Sequence, residues 1–149
     1  MDGARVATFA AVVLLIAGPA QAAGIIKGPA NMCVTAQPSS QARVTAQTCN
    51  LSDQKQKWEY VASKSELRMS SANGLCMDVA GGLAPKGSVI VYQCHGDVNQ
   101  RWRTEQHEVN IGKGKFCLNL PAFTVGTQFN IDFCNGSANQ ALAYQAVTQ

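Results

Sequence analysis

Short stretches of alternating apolar and polar residues recur along the chain. The clearest is Val89-Ile90-Val91-Tyr92, in which the valines would face a core while Ile90 and Tyr92 face outward. Gly, Asn, Asp, Ser and Pro separate these stretches, as turns require. No stretch has a helical period, so the pattern predicts an all-β protein. The predicted strands are residues 24–27, 32–36, 43–48, 58–61, 66–70, 75–79, 88–93, 101–105, 108–112, 116–120, 127–133 and 141–146.

The same landmarks occur three times, with a period of about 40 residues that is typical of a repeat architecture. Each copy has two cysteines at nearly constant spacing and, soon after the second one, a Gln-x-apolar triplet. The triplets are Gln56-Lys57-Trp58, Gln100-Arg101-Trp102 and Gln140-Ala141-Leu142.

Four strands in each of three copies predict a closed, threefold β-barrel with a hairpin cap, because closure removes exposed strand edges. We expect the repeats at about 24–62, 66–106 and 107–147. The last residue of each triplet would fill an equivalent core position, and its glutamine would satisfy buried backbone groups. Each repeat has its own cysteine pair, which predicts three disulfides within repeats. The predicted disulfides are Cys33–Cys49, Cys76–Cys94 and Cys117–Cys134.

The first 22 residues predict a secretory signal peptide. Arg5 precedes an apolar run. The run is followed by a Gly18-Pro19 break and then by a small-x-small site that ends at Ala22. The run is shorter than the roughly 20 residues that span a bilayer; an uncleaved anchor is the alternative. We therefore expect one domain over 23–149 in a secreted, extracellular or periplasmic protein. An even cysteine number after such a segment indicates disulfides rather than a zinc site, for which tight Cys-x-x-Cys pairs are absent.

The charge of the chain does not favour any particular class of function. The chain has 12 Lys and Arg against 9 Asp and Glu, a net charge of +3. The positive residues are scattered and form no basic run. No Gly-rich phosphate loop is present. We expect no nucleic-acid partner, no membrane insertion, no metal and no cofactor.

The second repeat resembles the repeat signature of the ricin B-type β-trefoil lectins. The resemblance rests on Cys-x-Asp-Val at residues 76–79, Val-x-Val-Tyr-x-Cys at 89–94 and Asn-Gln-x-Trp at 99–102, and blurred copies extend it over about 24–146. It implies a β-trefoil that binds sugars without catalysis, at shallow pockets numbering up to one per repeat.

The resemblance also implies roles for residues of the second repeat. Asp78 would bind vicinal sugar hydroxyls, Tyr92 would stack on the apolar face of the ring, and Asn99 would supply an amide. His95 would be the turn residue beside the sugar, and Gln100 would orient Asp78 from behind. Ile90 stands where the family often has glutamine, so one secondary polar contact would be missing.

The other two repeats depart from this pattern. The first has Thr35, Gln47 and Lys55 at the positions of the acid, the aromatic residue and the asparagine, which predicts a structural copy without a sugar site. The third keeps an asparagine and a glutamine but lacks the acid and the aromatic residue, so any site there would be weak. Its candidate residues are Asn119, Asn139 and Gln140.

An enzyme is not expected. Oxidised cysteines leave no thiolate nucleophile, no Ser-His-Asp arrangement has supporting motifs, and the few acids form no glycosidase-like pair. The first hypothesis is a secreted lectin for a galactose-type or xylose-type glycan, bound mainly by the second repeat. The alternative is a trefoil used as a protein-interaction or targeting subunit of a secreted toxin or hydrolase system. The decay of the first and third repeats favours the alternative, because unused sugar sites leave surface for a partner.

Overall fold

The computed structural model describes residues 23–147, and the predicted signal peptide lies outside them. Twelve short strands occur in this part of the chain. They are β1 (Gly24–Lys27), β2 (Met32–Ala36), β3 (Val44–Thr48), β4 (Trp58–Val61), β5 (Glu66–Met69), β6 (Leu75–Val79), β7 (Val89–Gln93), β8 (Trp102–Thr104), β9 (Val109–Ile111), β10 (Phe116–Asn119), β11 (Asn130–Phe133) and β12 (Ala143–Ala146).

These strands confirm the predicted count of four per repeat, with small differences at their ends. The largest difference is in the third repeat, where β11 begins at Asn130 rather than at residue 127. The preceding residues pair with other repeats instead: the Phe129 amide donates to the Val44 carbonyl at 2.9 Å, and its carbonyl accepts from the Val89 amide at 3.1 Å.

Four 3₁₀ turns were not expected from the sequence, because a three-residue turn is too short to show a helical period. Three of them contain the glutamine of a triplet. The turns span Pro29–Asn31, Gln54–Gln56, Val98–Gln100 and Ala138–Gln140.

The first and fourth strands of the repeats lie side by side and form the wall of the β-barrel. β12 pairs with β1, β1 with β4, β4 with β5, and β8 with β9, all antiparallel. The Trp102 amide donates to the Ser65 carbonyl at 2.7 Å, which places β8 beside the start of β5. At Gly24 a side chain would lie within 2.6 Å of Tyr144, so only glycine permits β1 to approach β12 this closely.

The second and third strands form three hairpins, β2–β3, β6–β7 and β10–β11, which meet around a pseudo-threefold axis. Equivalent hydrogen bonds join each hairpin to the next one. The amides of Gln41, Lys86 and Gly126 donate to the carbonyls of Val91, Ile131 and Ala46 at 2.7, 2.7 and 2.8 Å. This hairpin cap, with the barrel beneath it, is the predicted β-trefoil arrangement.

The core lies between barrel and cap, and the three triplets end in it as predicted. Trp58, Trp102 and Leu142 are fully buried. Each tryptophan indole donates to a carbonyl of its own repeat at 2.9 Å, Trp58 to Val34 and Trp102 to Met77. Leu142 offers no such donor, and a side chain on Gly28 would approach its Cδ2 to 2.7 Å.

The three predicted disulfides are present. Each joins the second strand of a repeat to the residue after the third strand, with Cα atoms 4.9 to 5.0 Å apart. In the chain-entropy model, closing a loop of this length contributes about 3 kcal/mol of stability. Within residues 23–147 no helix is long and apolar enough to cross a membrane.

Candidate functional site

A shallow pocket of about 260 Å³ lies on the outer face of the second hairpin, β6–β7. Asp78 comes from β6, Ile90 and Tyr92 come from β7, and His95 and Asn99 come from the segment that follows. The strand alternation explains this placement. Val89 and Val91 are buried in the core, so the residues between them and after them face the pocket.

Asp78 is the centre of a hydrogen-bond network at the base of this pocket. It is only 3% exposed. Its Oδ1 accepts from the Asn99 side-chain amide at 3.0 Å, and its Oδ2 accepts from the Gln100 amide at 2.7 Å. A carboxylate has about four acceptor positions, so Asp78 keeps capacity for further donors while its orientation is held by two amides.

Gln100 connects this network to the backbone. Its Nε2 also donates to the Gln93 carbonyl at 2.9 Å, and its Oε1 accepts from the His95 amide at 2.9 Å. The side chain is fully buried, so these bonds satisfy groups that would otherwise be unpaired away from water. The same residue therefore shapes the turn after Cys94 and positions Asp78.

His95 closes one side of the pocket. Its Nε2 lies 3.2 Å from Asp78 Oδ2, and its Nδ1 lies 3.3 Å from Asp97 Oδ2. The Asp97 amide donates to that same Nδ1 at 3.1 Å, so the neutral ring carries its proton on Nε2 and donates to Asp78. In that tautomer the Asp97 carboxylate is only a neighbour of Nδ1 and accepts no proton from it.

Tyr92 forms the exposed wall. It is 37% exposed, and its ring lies edge-on to His95 with centroids 6.1 Å apart. The structure thus brings four predicted residues, Asp78, Tyr92, His95 and Asn99, to one pocket, with Gln100 beneath them.

Three further residues line the pocket and were missed by sequence reasoning: Gln41, Ala80 and Gly81. Ala80 and Gly81 follow β6 directly, so their nearness to Asp78 along the chain was a usable signal. Gln41 had none, because it belongs to the β2–β3 hairpin of the first repeat and reaches the pocket through its hydrogen bond to Val91.

The first repeat has a larger and chemically different hollow at the equivalent position, of about 740 Å³. Thr35 turns its hydroxyl back to the Cys33 carbonyl at 3.0 Å, and Gln47 donates to the Thr45 hydroxyl at 3.4 Å. Gln56 satisfies backbone groups as Gln100 does, through the Asn50 amide and the Thr48 carbonyl. The turn is kept in this repeat. The acid that lines the hollow, Asp53, accepts from the Lys55 amide at 2.9 Å rather than from the Gln56 side chain.

The third repeat has amide side chains at the positions of Asp78, Asn99 and Gln100, but the hydrogen bonds of these side chains go to other partners. The Asn119 amide donates across the hairpin to Asn130 at 2.8 Å, and the Asn139 amide donates to the Leu120 carbonyl at 2.8 Å. Gln140 binds only backbone groups, the Asn135 amide and the Phe133 carbonyl. Asn119, Asn139 and Gln140 are therefore neighbours that, unlike Asp78, Asn99 and Gln100, are not joined to one another.

Two groups of potential metal ligands occur among the described residues, each formed by one glutamate and two cysteines. They are Glu66 with Cys76 and Cys94, and Glu108 with Cys117 and Cys134. Both cysteine pairs form disulfides. Because the metal ligand is the thiolate, the oxidised cysteines leave each group with a single ordinary ligand.

Comparison with known proteins identifies the family of this chain. The profile of the ricin-type β-trefoil lectin domain matches residues 22–142. A curated relative, the probable lipoprotein EnvE of Salmonella typhimurium strain LT2, is 28% identical over 95 residues. The match covers 63% of this chain and 51% of that protein, so the chain spans about half the length of this relative.

Solved structures share the fold at low sequence identity. The β-trefoil lectin of the Vibrio vulnificus hemolysin/cytolysin, solved with N-acetyl-D-lactosamine, has a TM-score of 0.69 at 15% identity, covering 86% of this chain and 96% of that one. The C-half of an earthworm R-type lectin, solved with GalNAc, has a TM-score of 0.71 at 11% identity, covering 85% and 99%.

A mosquitocidal holotoxin is similar in only a small part of its length. The TM-score is 0.73 at 18% identity, and the match covers 86% of this chain but 17% of that one. The profile match extends over most of the chain and over all three disulfides. The chain therefore belongs to the ricin-type β-trefoil lectin domain family, whose members are carbohydrate-binding domains.

Proposed function

We propose that this protein is an exported, non-catalytic lectin that binds a galactose-type glycan through the pocket of the second repeat. One observation carries the proposal: a buried carboxylate, held by two amides, lies beside an exposed aromatic ring in this repeat, and the other two repeats lack the combination. A sugar presents vicinal hydroxyls on its edge and C–H groups on its face, and Asp78 and Tyr92 match these two surfaces.

The ligands of two similar lectins support a galactose-type ligand in particular. Two lectins of the same fold were solved with N-acetyl-D-lactosamine and with GalNAc, which share a galactose-type ring. Ile90 lines the pocket with an apolar side chain where the family often has glutamine. One polar contact that would discriminate among sugars is therefore missing, so a xylose-type glycan is the second ligand to test. The pocket is shallow, and we expect a weak single site with a dissociation constant in the micromolar to millimolar range, about 8 to 4 kcal/mol.

Export is supported by the oxidised state of all six cysteines, since disulfides persist in oxidising compartments. The relative described as a probable lipoprotein is consistent with the cell envelope or the exterior. We propose a secreted, extracellular or periplasmic location, with residues 1–22 as the signal peptide and 23–149 as the lectin domain.

Binding to immobilised galactose and to a glycan array tests the proposal. Asp78→Ala should weaken binding by about 10- to 100-fold, the range for hydrogen bonds to a charged group. Asp132 occupies the position in the third repeat that Tyr92 occupies in the second. Asp132→Ala removes this acid and should bind sugar as wild type does. The assignment fails if a folded Asp78→Ala protein, checked by its circular dichroism and melting temperature, is retained like wild type.

A second candidate function is a targeting or interaction subunit of a secreted toxin or hydrolase system. The third repeat supplies an observation in its favour: Phe133 is 51% exposed and stacks on Phe116 with centroids 5.2 Å apart. The Lys115 ammonium lies 5.4 and 5.8 Å from the two ring centroids. Co-purification with a toxin or hydrolase chain that Phe133→Ser abolishes would support this function. A monomer that binds sugar and recovers no such chain would contradict it.

A further inference from the structure

Two hollows continue from the proposed sugar pocket along the surface. The nearer one, of about 640 Å³, shares His95 with the pocket and extends to Ser65 and Arg101. The farther one, of about 180 Å³, shares Ser65 and Arg101 with the nearer one and reaches Lys113. The three depressions therefore lie in succession along the surface: His95 separates the pocket from the nearer hollow, and Ser65 and Arg101 line both hollows.

Positive side chains line the two added hollows. We call these two hollows together the cationic groove, which is defined by Lys64, Arg68, Arg101, Arg103 and Lys113. Four of the five are exposed, and Arg68 is half-buried. The one acid among the lining residues is Glu66, which is 5% exposed and paired with Arg68. The groove thus presents a net positive surface beside a pocket whose own charge is negative.

The two arginines nearest the pocket are held in place by the protein. Arg68 binds Glu66 Oε2 through Nε at 2.8 Å and Nη2 at 2.7 Å. Arg101 donates from Nε to the Gly96 carbonyl at 2.9 Å. A guanidinium carries five N–H donors in a rigid fork that matches oxyanions. Anchoring through Nε leaves the other donors of Arg101 in a fixed orientation, so less conformational entropy is lost on binding.

We propose that the cationic groove binds an oxyanion, a sulfate or a carboxylate, on the glycan residue next to the sugar held at Asp78. This inference rests on the proposed function and names the glycan class as acidic. The anion belongs on the neighbouring residue because a negative group on the bound sugar itself would lie beside the Asp78 carboxylate and be repelled. His95 lines both the pocket of that sugar and the hollow that contains Arg101, so a glycan residue linked to the sugar can reach the arginine by extending past His95.

Titration calorimetry with matched disaccharides tests the inference. The probes are N-acetyllactosamine, the same disaccharide with a 6-sulfate on its N-acetylglucosamine, lactitol, and lactobionate, which has a carboxylate where lactitol has a CH2OH group. We expect wild type to bind the acidic members about fivefold more tightly, the upper end for one solvent-exposed charge pair. A preference for the sulfated probe alone identifies sulfate as the anion that the groove binds. A preference for both acidic probes shows that the groove accepts sulfate and carboxylate alike. The advantage should shrink as salt rises from 0.01 to 1 M, because exposed charges are screened.

Two variants separate the groove from the pocket. Lys64→Gln/Arg103→Gln removes two exposed charges and should bring the acidic-to-neutral affinity ratio towards one without changing affinity for the neutral probes. Arg101→Gln should do the same through the anchored guanidinium. Lys27→Gln/Lys86→Gln removes two charges outside the groove and should keep the wild-type ratio.

The outcomes distinguish this inference from the proposed function. Equal wild-type affinity for acidic and neutral probes overturns the groove assignment and leaves the lectin proposal intact. Failure to bind any of the four disaccharides overturns both for a galactose-type ligand. Acidic binding that Asp78→Ala leaves unchanged overturns the inference, because the anion would then bind independently of the sugar pocket.

Discussion

At the scale of single residues, the pocket is defined by how Asp78 is held. Both carboxylate oxygens accept from side-chain amides, and the His95 ring adds a third contact. Such an arrangement fixes the acceptors before a ligand arrives, which reduces the entropy lost on binding. In the third repeat an asparagine replaces the acid and turns to Asn130 instead. That partner is itself a difference between the repeats, because Asn130 stands where the second repeat has Ile90.

Tyr92 allows the aromatic contribution to be tested apart from the hydrogen bonds. Tyr92→Ala removes the platform and should weaken sugar binding by about 10-fold or more, in line with the burial of one aromatic face at roughly 25 cal/mol per Å². Tyr92→Phe keeps the ring and should retain most of the affinity. Because the side chain is 37% exposed, neither change should move the melting temperature by more than a few degrees. Calorimetry and thermal melts check both expectations, and equal affinity of the Ala and Phe variants would rule out stacking.

At the scale of elements, the 3₁₀ turn after each disulfide is the recurring building unit. Its glutamine accepts from a backbone amide and donates to the carbonyl before the second cysteine, in all three repeats. Among the described contacts of the three glutamines, only Gln100 also donates to a carboxylate, so the second turn has a structural task and, in the proposed lectin, a functional one.

Paired glutamine variants separate these two tasks. Gln100→Ala and Gln140→Ala each leave buried backbone groups unpaired and should each lower the free energy of unfolding by about 1–3 kcal/mol. Gln100→Ala should in addition weaken sugar binding, because Asp78 loses its 2.7 Å donor. Denaturant titration and sugar calorimetry on both proteins provide the comparison. Unchanged affinity in a folded Gln100→Ala protein would contradict the positioning role.

The fourth strands carry a related contact between repeats. Tyr144 of β12 donates to the Trp58 carbonyl, and Tyr60 of β4 donates to the Trp102 carbonyl, each at 3.2 Å. The two tyrosine rings lie 6.2 Å apart. Burial raises the pKa of Tyr144 above its usual 10.0, the nearby Glu59 charge adds to the shift, and a backbone hydrogen bond partly opposes it.

This shift predicts a loss of stability at high pH. The folded protein keeps Tyr144 protonated where the unfolded chain has begun to lose that proton, so the unfolding free energy falls as pH rises above about 10. Below that pH the contribution of Tyr144 is complete. Tyr144→Phe should cost about 1 kcal/mol at neutral pH through the lost hydrogen bond but should decline less steeply above pH 10. Urea melts from pH 7 to 11 test this, and parallel curves for the two proteins would refute it.

At the scale of the whole molecule, three similar repeats build one barrel, but among the described residues only the second repeat has the network on which the proposed sugar site rests. The first and third repeats keep the disulfide, the core residue and the glutamine turn, which every repeat needs for folding. They have other residue types at the positions of Asp78 and Tyr92, and the barrel forms without a carboxylate and an aromatic ring there. The two sets of requirements are separable because the site side chains lie on the outer face of the hairpins, away from the core.

This division predicts one sugar per chain. Calorimetry should give a stoichiometry near one, with a dissociation constant between micromolar and millimolar. A single weak site gains nothing from avidity within the chain, so a monomeric protein should not agglutinate galactose-bearing cells. A stoichiometry of two or three, or agglutination by a protein shown to be monomeric, would mean that the first or third repeat also binds.

Much of this could be predicted from the sequence, because it depends on neighbours along the chain. Alternation of apolar residues predicted the strands to within a few residues, with residues 127–129 as the main exception. Constant cysteine spacing predicted the three disulfides, and the triplets predicted the buried Trp58, Trp102 and Leu142. The residue types at residues 78, 92 and 99 singled out the second repeat, since they could be compared directly with the other copies.

The tertiary structure alone decided what happens between repeats and between side chains. Gln41 joins the pocket from another repeat, Asn119 turns to Asn130, and cations spread from residue 64 to residue 113 line one groove. Local periodicity carries no information about these contacts, because they depend on how the pseudo-threefold cap sets one hairpin against the next. The chain by itself determined the repeats and the polar groups of the second one, and the packing of the three repeats determined which groups those residues meet.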